Sequence, residues 1–157
     1  MNDTFLFRVT HPVITSAYYL RFRMAHKNKT FATALALTLG TLGAHRFYLH
    51  GGVDRVGLLH ISSLPIAGLI FSNANGIHPF YALLPLLISG IAACIEALVI
   101  GLTPDEQWDA RFHAGSATRS NWILAVLLVT TLLVGATLLI GTIARLFDVM
   151  YTGGAYG

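Results

Sequence analysis

Charge is scarce in this 157-residue chain. Only 11% of its residues are charged, against roughly 25% in an average soluble domain. The deficit is not spread evenly: residues 56–95 and 120–144 contain no Lys, Arg, Asp or Glu. A water-soluble fold needs charge distributed over its surface, so a soluble domain is excluded. Cysteine is almost as rare. The single Cys94 rules out an intrachain disulfide and any cysteine-based metal site, and within an apolar run it reads as a small buried hydrophobe. Catalytic signatures are missing as well. There is no phosphate-binding loop, no Gly-rich dinucleotide fingerprint, no zinc-protease helix and no nucleophile elbow. The sequence therefore predicts no enzyme, cofactor or bound metal. A cleaved leader is not predicted either, because Asp3 sits where positive charge belongs and Arg8, His11 and Pro12 interrupt any apolar core.

What the chain has instead is apolar length: 55% of its residues are hydrophobic. Residues 30–49, 55–72, 79–101 and 121–144 each approach the length of about 20 residues that a helix needs to cross a bilayer core. The predicted fold is all-α, a polytopic transmembrane bundle of about four spans with short interfacial helices. The second span is the least regular, since His60, Ser62, Ser63 and Pro65 dilute it. A kinked span and a re-entrant segment both fit, with a Ser hydroxyl or water serving the carbonyl that Pro65 leaves free. Three parts follow: a basic, aromatic interfacial arm over 1–29, a transmembrane domain over 30–112, and a linker with one further helix over 113–157. Residues 13–25 suit a short interfacial helix or a basic tail. Thr103, Pro104, Asp105 and Glu106 form a capping-box pattern that opens a helix through Phe112, with Trp108 and Phe112 dipping into the interface while Asp105 and Asp109 face water. Residues 146–157 read as a frayed tail.

Arg8, Arg21, Arg23, Lys27 and Lys29 precede the first span. Beside an apolar segment such a cluster points to anionic headgroups rather than nucleic acid. With four spans it places both termini in the cytoplasm of a multi-pass cell-membrane protein of bacterial inner-membrane type.

Two spans carry small residues every four positions: Ala32, Ala36, Gly40 and Ala44 in the first, and Ser89, Ala93, Ala97 and Gly101 in the third. Positions four apart share a helix face, and small side chains there let backbones approach closely. These stripes predict helix contacts within the chain or with a homo-oligomeric or other membrane partner. Asp54, after a Gly51-Gly52 turn, is placed to cap the second span. Glu96 is the acidic residue deep inside a span. A charge there costs about 2.5–3.5 kcal/mol unless neutralised or paired. His60, Arg46 and Arg55 are the candidate partners, and Glu96 with His60 would be the intramembrane pair of a carrier. His45, His50 and His60 match no compact metal-ligand spacing.

The most specific stretch is Gly40-Thr41-Leu42-Gly43-Ala44-His45-Arg46-Phe47-Tyr48-Leu49, with Lys29 ahead of it. It resembles the TM-two domain family, small membrane modules of two spans joined by a short loop. Lys29, Leu39, Gly40, Gly43, His45, Arg46, Phe47, Tyr48 and Leu49 match the family pattern. His50 stands where that pattern has Gly, with Gly51 one place later. The resemblance implies an acidic residue closing the second span, for which Glu96 is the counterpart after an expansion over residues 62–85. It implies no enzymatic chemistry and a role in interaction or signalling. From the residues alone, Gly40 and Gly43 permit close packing, Arg46 can snorkel to phosphates, and Phe47 and Tyr48 suit the aromatic belt. A plain interfacial anchor and a docking epitope both remain open.

Overall fold

A computed structural model describes residues 27–73, 76, 78–112 and 117–156. The proposed interfacial arm before residue 27 and part of the linker after Phe112 lie outside these. Every regular element among the described residues is helical. In order they are α1 (Lys29–Leu39), a 3₁₀ turn (Gly40–Leu42), α2 (Ala44–His50), α3 (Arg55–Asn73), α4 (Phe80–Leu102), α5 (Asp105–Phe112) and α6 (Trp122–Thr152). Three of them, α3, α4 and α6, are long and apolar enough to cross a membrane.

The chain forms two compact units. One comprises Asn28–Thr103 with Ser120–Gly157, and the other Met1–Lys27 with Pro104–Arg119. In the larger unit α4 is the central helix, packed against α1, α3 and α6. Its small-residue stripe is the reason. Ala93 and Ala97 are buried, as are Ala32 and Ala36 of α1, so both predicted stripes are spent on contacts within the chain. The approach is closest at Gly40, where an added Cβ would stand 2.6 Å from Cβ of Ala93. At Gly101 it would meet Leu128 of α6 at 2.6 Å, and Gly135 of α6 leaves a berth for Cys94. In lipid the drive for such docking is dispersion over closely matched surfaces, which bulky side chains would forfeit.

The straight helix expected over 30–49 is broken. α1 stops at Leu39, and Gly43 adopts φ 72°, a left-handed conformation that ends the 3₁₀ turn and starts α2. A β-carbon is disfavoured there. The break takes Ala44 out of register with Ala32, Ala36 and Gly40, and it is only half-buried. Conversely, α3 is one continuous helix through Pro65. Ser62 and Ser63 donate to the carbonyls of Leu59 and His60, at 2.8 and 2.6 Å, and not to that of Ile61, which Pro65 deprives of its donor.

The C-terminal segment is ordered further than expected. α6 runs roughly 46 Å at 1.5 Å per residue, past the ~30 Å of a hydrocarbon core. Asn121 caps its start by accepting from Leu124 N at 3.0 Å. Gly153, at φ 71°, closes it. Asp148 gathers this end, accepting from Arg145, from the Thr152 hydroxyl and from Tyr156 N.

In the smaller unit α5 begins at Asp105, but Thr103 does not cap it: its hydroxyl donates back to Val99 O at 2.7 Å. Trp108 is buried, its indole N–H donates to Lys27 O at 3.0 Å, and its ring lies 4.6 Å from that of Phe112. Asp109, expected to face water, is half-buried and accepts from Thr118 N at 2.8 Å.

Candidate functional site: a polar cluster between three helices

The turn that breaks the first apolar segment assembles the site. Asn28 caps α1 by accepting from Phe31 N at 3.1 Å. After the 11 residues of α1 the chain reverses over Gly40–Gly43, and both glycines are required by contact. Gly40 lies on Ala93. A Cβ on Gly43 would fall 2.7 Å from Gly57 O and 3.1 Å from the His60 Cβ. Gly57 in turn receives the Phe47 ring, 2.9 Å from where its own Cβ would be. The turn thus interlocks with α4 on one side and with α3 on the other.

α2 then starts with His45 and Arg46, both carried to Glu96 of α4. Arg46 holds the carboxylate with two nitrogens, Nε at 2.9 Å to Oε2 and Nη2 to Oε1. His45 Nε2 bonds Oε2. This fork geometry is what a guanidinium offers and an ammonium does not. The Arg46, Glu96 and His45 side chains are 27, 19 and 0% exposed. The charge of Glu96 within a span is therefore neutralised by Arg46, as the cost of an unpaired charge there demands. His45 Nδ1 is buried without a hydrogen-bond partner. In the neutral ring the hydrogen therefore sits on Nε2, where Glu96 accepts it, and not on Nδ1, where it would be an unsatisfied donor.

His60 of α3 reaches the same cluster. Its Nδ1 lies 2.8 Å from Ser89 Oγ, and that hydroxyl lies 2.8 Å from Thr41 O. A serine has one hydrogen to give, and a carbonyl can only accept. The hydroxyl therefore donates to Thr41 O and accepts from His60 Nδ1–H, which fixes the tautomer of neutral His60. Its Nε2 is left as an acceptor, 3.7 Å from Glu96 Oε2. The two imidazoles stand edge to face, with centroids 5.9 Å apart.

Residues 25–73 match the family of the TM2 domain. That segment is a TM2 domain. It supplies α1, the turn, α2 and α3, hence His45, Arg46, Gly57 and His60, whereas Glu96 and Ser89 come from α4 beyond the TM2 match. No curated protein and no solved structure matches the chain. The chain is a membrane protein with a TM2 domain and three apolar helices of spanning length.

Each residue singled out from the sequence now has a place. Gly40, Gly43, His45, Arg46, Phe47, Glu96, His60 and Ser89 come together, and Arg55 does not join them. Tyr48 faces the other way, its hydroxyl accepting from Asn28 N at 2.9 Å and its ring 5.1 Å from that of Phe31. Asp54 caps α3, Oδ2 accepting from Gly57 N at 3.0 Å. The pairing of Glu96 with Arg46 follows the sequence reading; His60 comes within 3.7 Å of the carboxylate without bonding it, and the bond to His45 was not among the expected ones. Lys29, expected to face lipid headgroups with the other bases, does not. It is buried, and its Nζ donates to Thr103 O at 2.6 Å and Ser120 Oγ at 3.2 Å. There its charge meets the carbonyl end of α4. No local pattern signals that contact, because its partners lie far along the chain.

Proposed function

We propose that the protein is a non-enzymatic assembly module of the cell membrane, which associates with a second copy or with another membrane protein. The absence of enzymatic chemistry is supported by the polar cluster, whose one acid, Glu96, is held by Arg46 and His45. Association is supported by one feature above all. With the small-residue stripes buried inside the chain, α4 and α6 still leave an apolar groove of about 570 Å³ between them, bordered by Phe80, Leu87, Leu133, Thr137, Gly141 and Thr142. Gly141 has no atom near the place of its missing Cβ. Small residues along an open groove suit the close approach of another helix. The test is disulfide crosslinking of Thr137→Cys, in a Cys94→Ala background, in native membrane at normal expression. A crosslinked species that Gly141→Leu removes supports the reading, and monomer alone contradicts it.

The proposed orientation keeps the N-terminus in the cytoplasm, in a membrane of bacterial inner type. It rests on the bases before Asn28 and counts α3, α4 and α6 as the crossings, since Tyr48 returns to Asn28 and α1 and α2 therefore double back to one side. Lys29 contributes little to that bias, being buried.

A second reading, a small proton-coupled carrier using Glu96 and His60, is favoured by the cleft that opens on these two residues. It requires that Glu96→Gln abolish flux in liposomes while the protein stays folded.

A further inference from the structure

We infer that the cleft between α3 and α4 binds a neutral bilayer lipid through a free hydroxyl, which donates to Nε2 of His60. The cleft is about 300 Å³, with apolar walls that include Leu59 and Ile66 of α3 and Ile88 of α4, and with His60, Ser89 and Glu96 in its lining. That is the composition of a ligand site: mostly apolar, with a few convergent polar groups, at the lower end of the usual volume range. Leu59, Ile66 and Ile88 are exposed on helices of spanning length, so the cleft opens toward lipid and is entered from the bilayer.

The chemistry of the head group follows from the hydrogens. Ser89 fixes the hydrogen of neutral His60 on Nδ1, so Nε2 presents a lone pair. His60 is 5% exposed, and among the described residues Nε2 has no hydrogen-bond donor; Glu96 Oε2, 3.7 Å away, is another acceptor. Oε2 already accepts from His45 Nε2 and Arg46 Nε, which occupies both its lone pairs. The unmet need is thus one donor, at His60. A carboxylate or phosphate head offers only acceptors at neutral pH and would face a lone pair. An ammonium could donate, but the charges of Arg46 and Glu96 already cancel, so it would enter as an uncompensated cation in an apolar cleft. A hydroxyl supplies the single donor without charge. This goes beyond the assembly reading, whose groove lies between α4 and α6.

The full chain is reconstituted in phosphatidylcholine vesicles with a diazirine-bearing 1-hexadecanol, irradiated, and the label mapped by peptide mass spectrometry. Labelling of α3 and α4 residues around the cleft is expected. Unlabelled 1-hexadecanol should compete, while its methyl ether, palmitate and hexadecylamine should compete roughly threefold to tenfold less well, the loss of one hydrogen bond. His60→Phe keeps an aromatic ring without the acceptor and should reduce the labelling by a similar factor. Should that variant fail to fold, Ile66→Trp decides, since it fills the cleft from an exposed wall position. Equal competition by the ether, better competition by the acid or the amine, or unchanged labelling in Ile66→Trp would overturn the inference, the last leaving only a water on His60.

Discussion

Substituting Ala for Gly40 probes the contact between the turn and α4. The new Cβ would lie 2.6 Å from Cβ and 3.6 Å from Cα of Ala93, and 3.7 Å from Nδ1 of His45. Carbon atoms pack at about 3.5–4.0 Å, so the first contact overlaps by roughly 1 Å. Neither partner can rotate away, because both are β-carbons fixed to helix backbone. Relief must come from moving the turn off α4, and the turn carries His45 and Arg46 with it. Overpacking of this kind costs about 1–3 kcal/mol. Ala93→Gly in the same chain removes the atom that is struck and should restore the loss, less up to about 1 kcal/mol for a glycine inside α4. The assay is reversible unfolding of the purified protein in mixed micelles with increasing dodecyl sulfate, followed by circular dichroism. A coupling energy of about 1–3 kcal/mol between the two sites is expected. Gly40→Ala as stable as the parent, or a loss that Ala93→Gly leaves unrepaired, would show that the turn does not rest on α4.

Gly43→Ala meets both a left-handed backbone and Gly57 O, so it should lower stability by at least the roughly 1–2 kcal/mol of the conformational term in the same titration; parental stability would refute the geometry of the turn. Topology is read from accessibility tags at residues 2, 52, 75, 115 and 157. With α1 and α2 doubling back from Asn28 to Tyr48, three crossings place 2, 52 and 115 on one side with 75 and 157 on the other, while 2 and 52 on opposite sides would show that α1 and α2 cross.

Much of this was legible in the sequence, and the reasons for the failures are local. Apolar runs without charge mark α3, α4 and α6, because spanning length is a property of a segment and needs no partner. Asp54 is visible as a cap because the N–H it accepts from lies three residues away. Ala32, Ala36, Gly40 and Ala44 misled, since spacing by four looks the same whether or not the helix persists. What turned the chain after α1 was the left-handed backbone at Gly43, which ends the 3₁₀ turn, and a glycine at a packing face and a glycine at a reversal look alike in sequence. The ionic need of Glu96 could be foreseen from its cost in a membrane. That His45 and Arg46, adjacent in sequence, both turn to it depends on the direction in which α2 leaves the turn. The burial of Lys29 depends on where α4 ends, which no neighbouring residue reports.

The central claim is that the His45-Arg46 pair of the TM2 domain works inside the chain, holding α2 to Glu96 of α4. The direct test is a double-mutant cycle of Arg46→Met and Glu96→Leu by the same unfolding titration. Removing Arg46 leaves a carboxylate within a span. Breaking a buried pair from one side costs about 3–5 kcal/mol, and the partial exposure of both groups puts the expected loss near the lower bound. Replacing both partners by apolar side chains should recover most of it, for a coupling energy of about 2 kcal/mol or more. Losses that simply add, with a coupling below about 0.5 kcal/mol, would contradict the account.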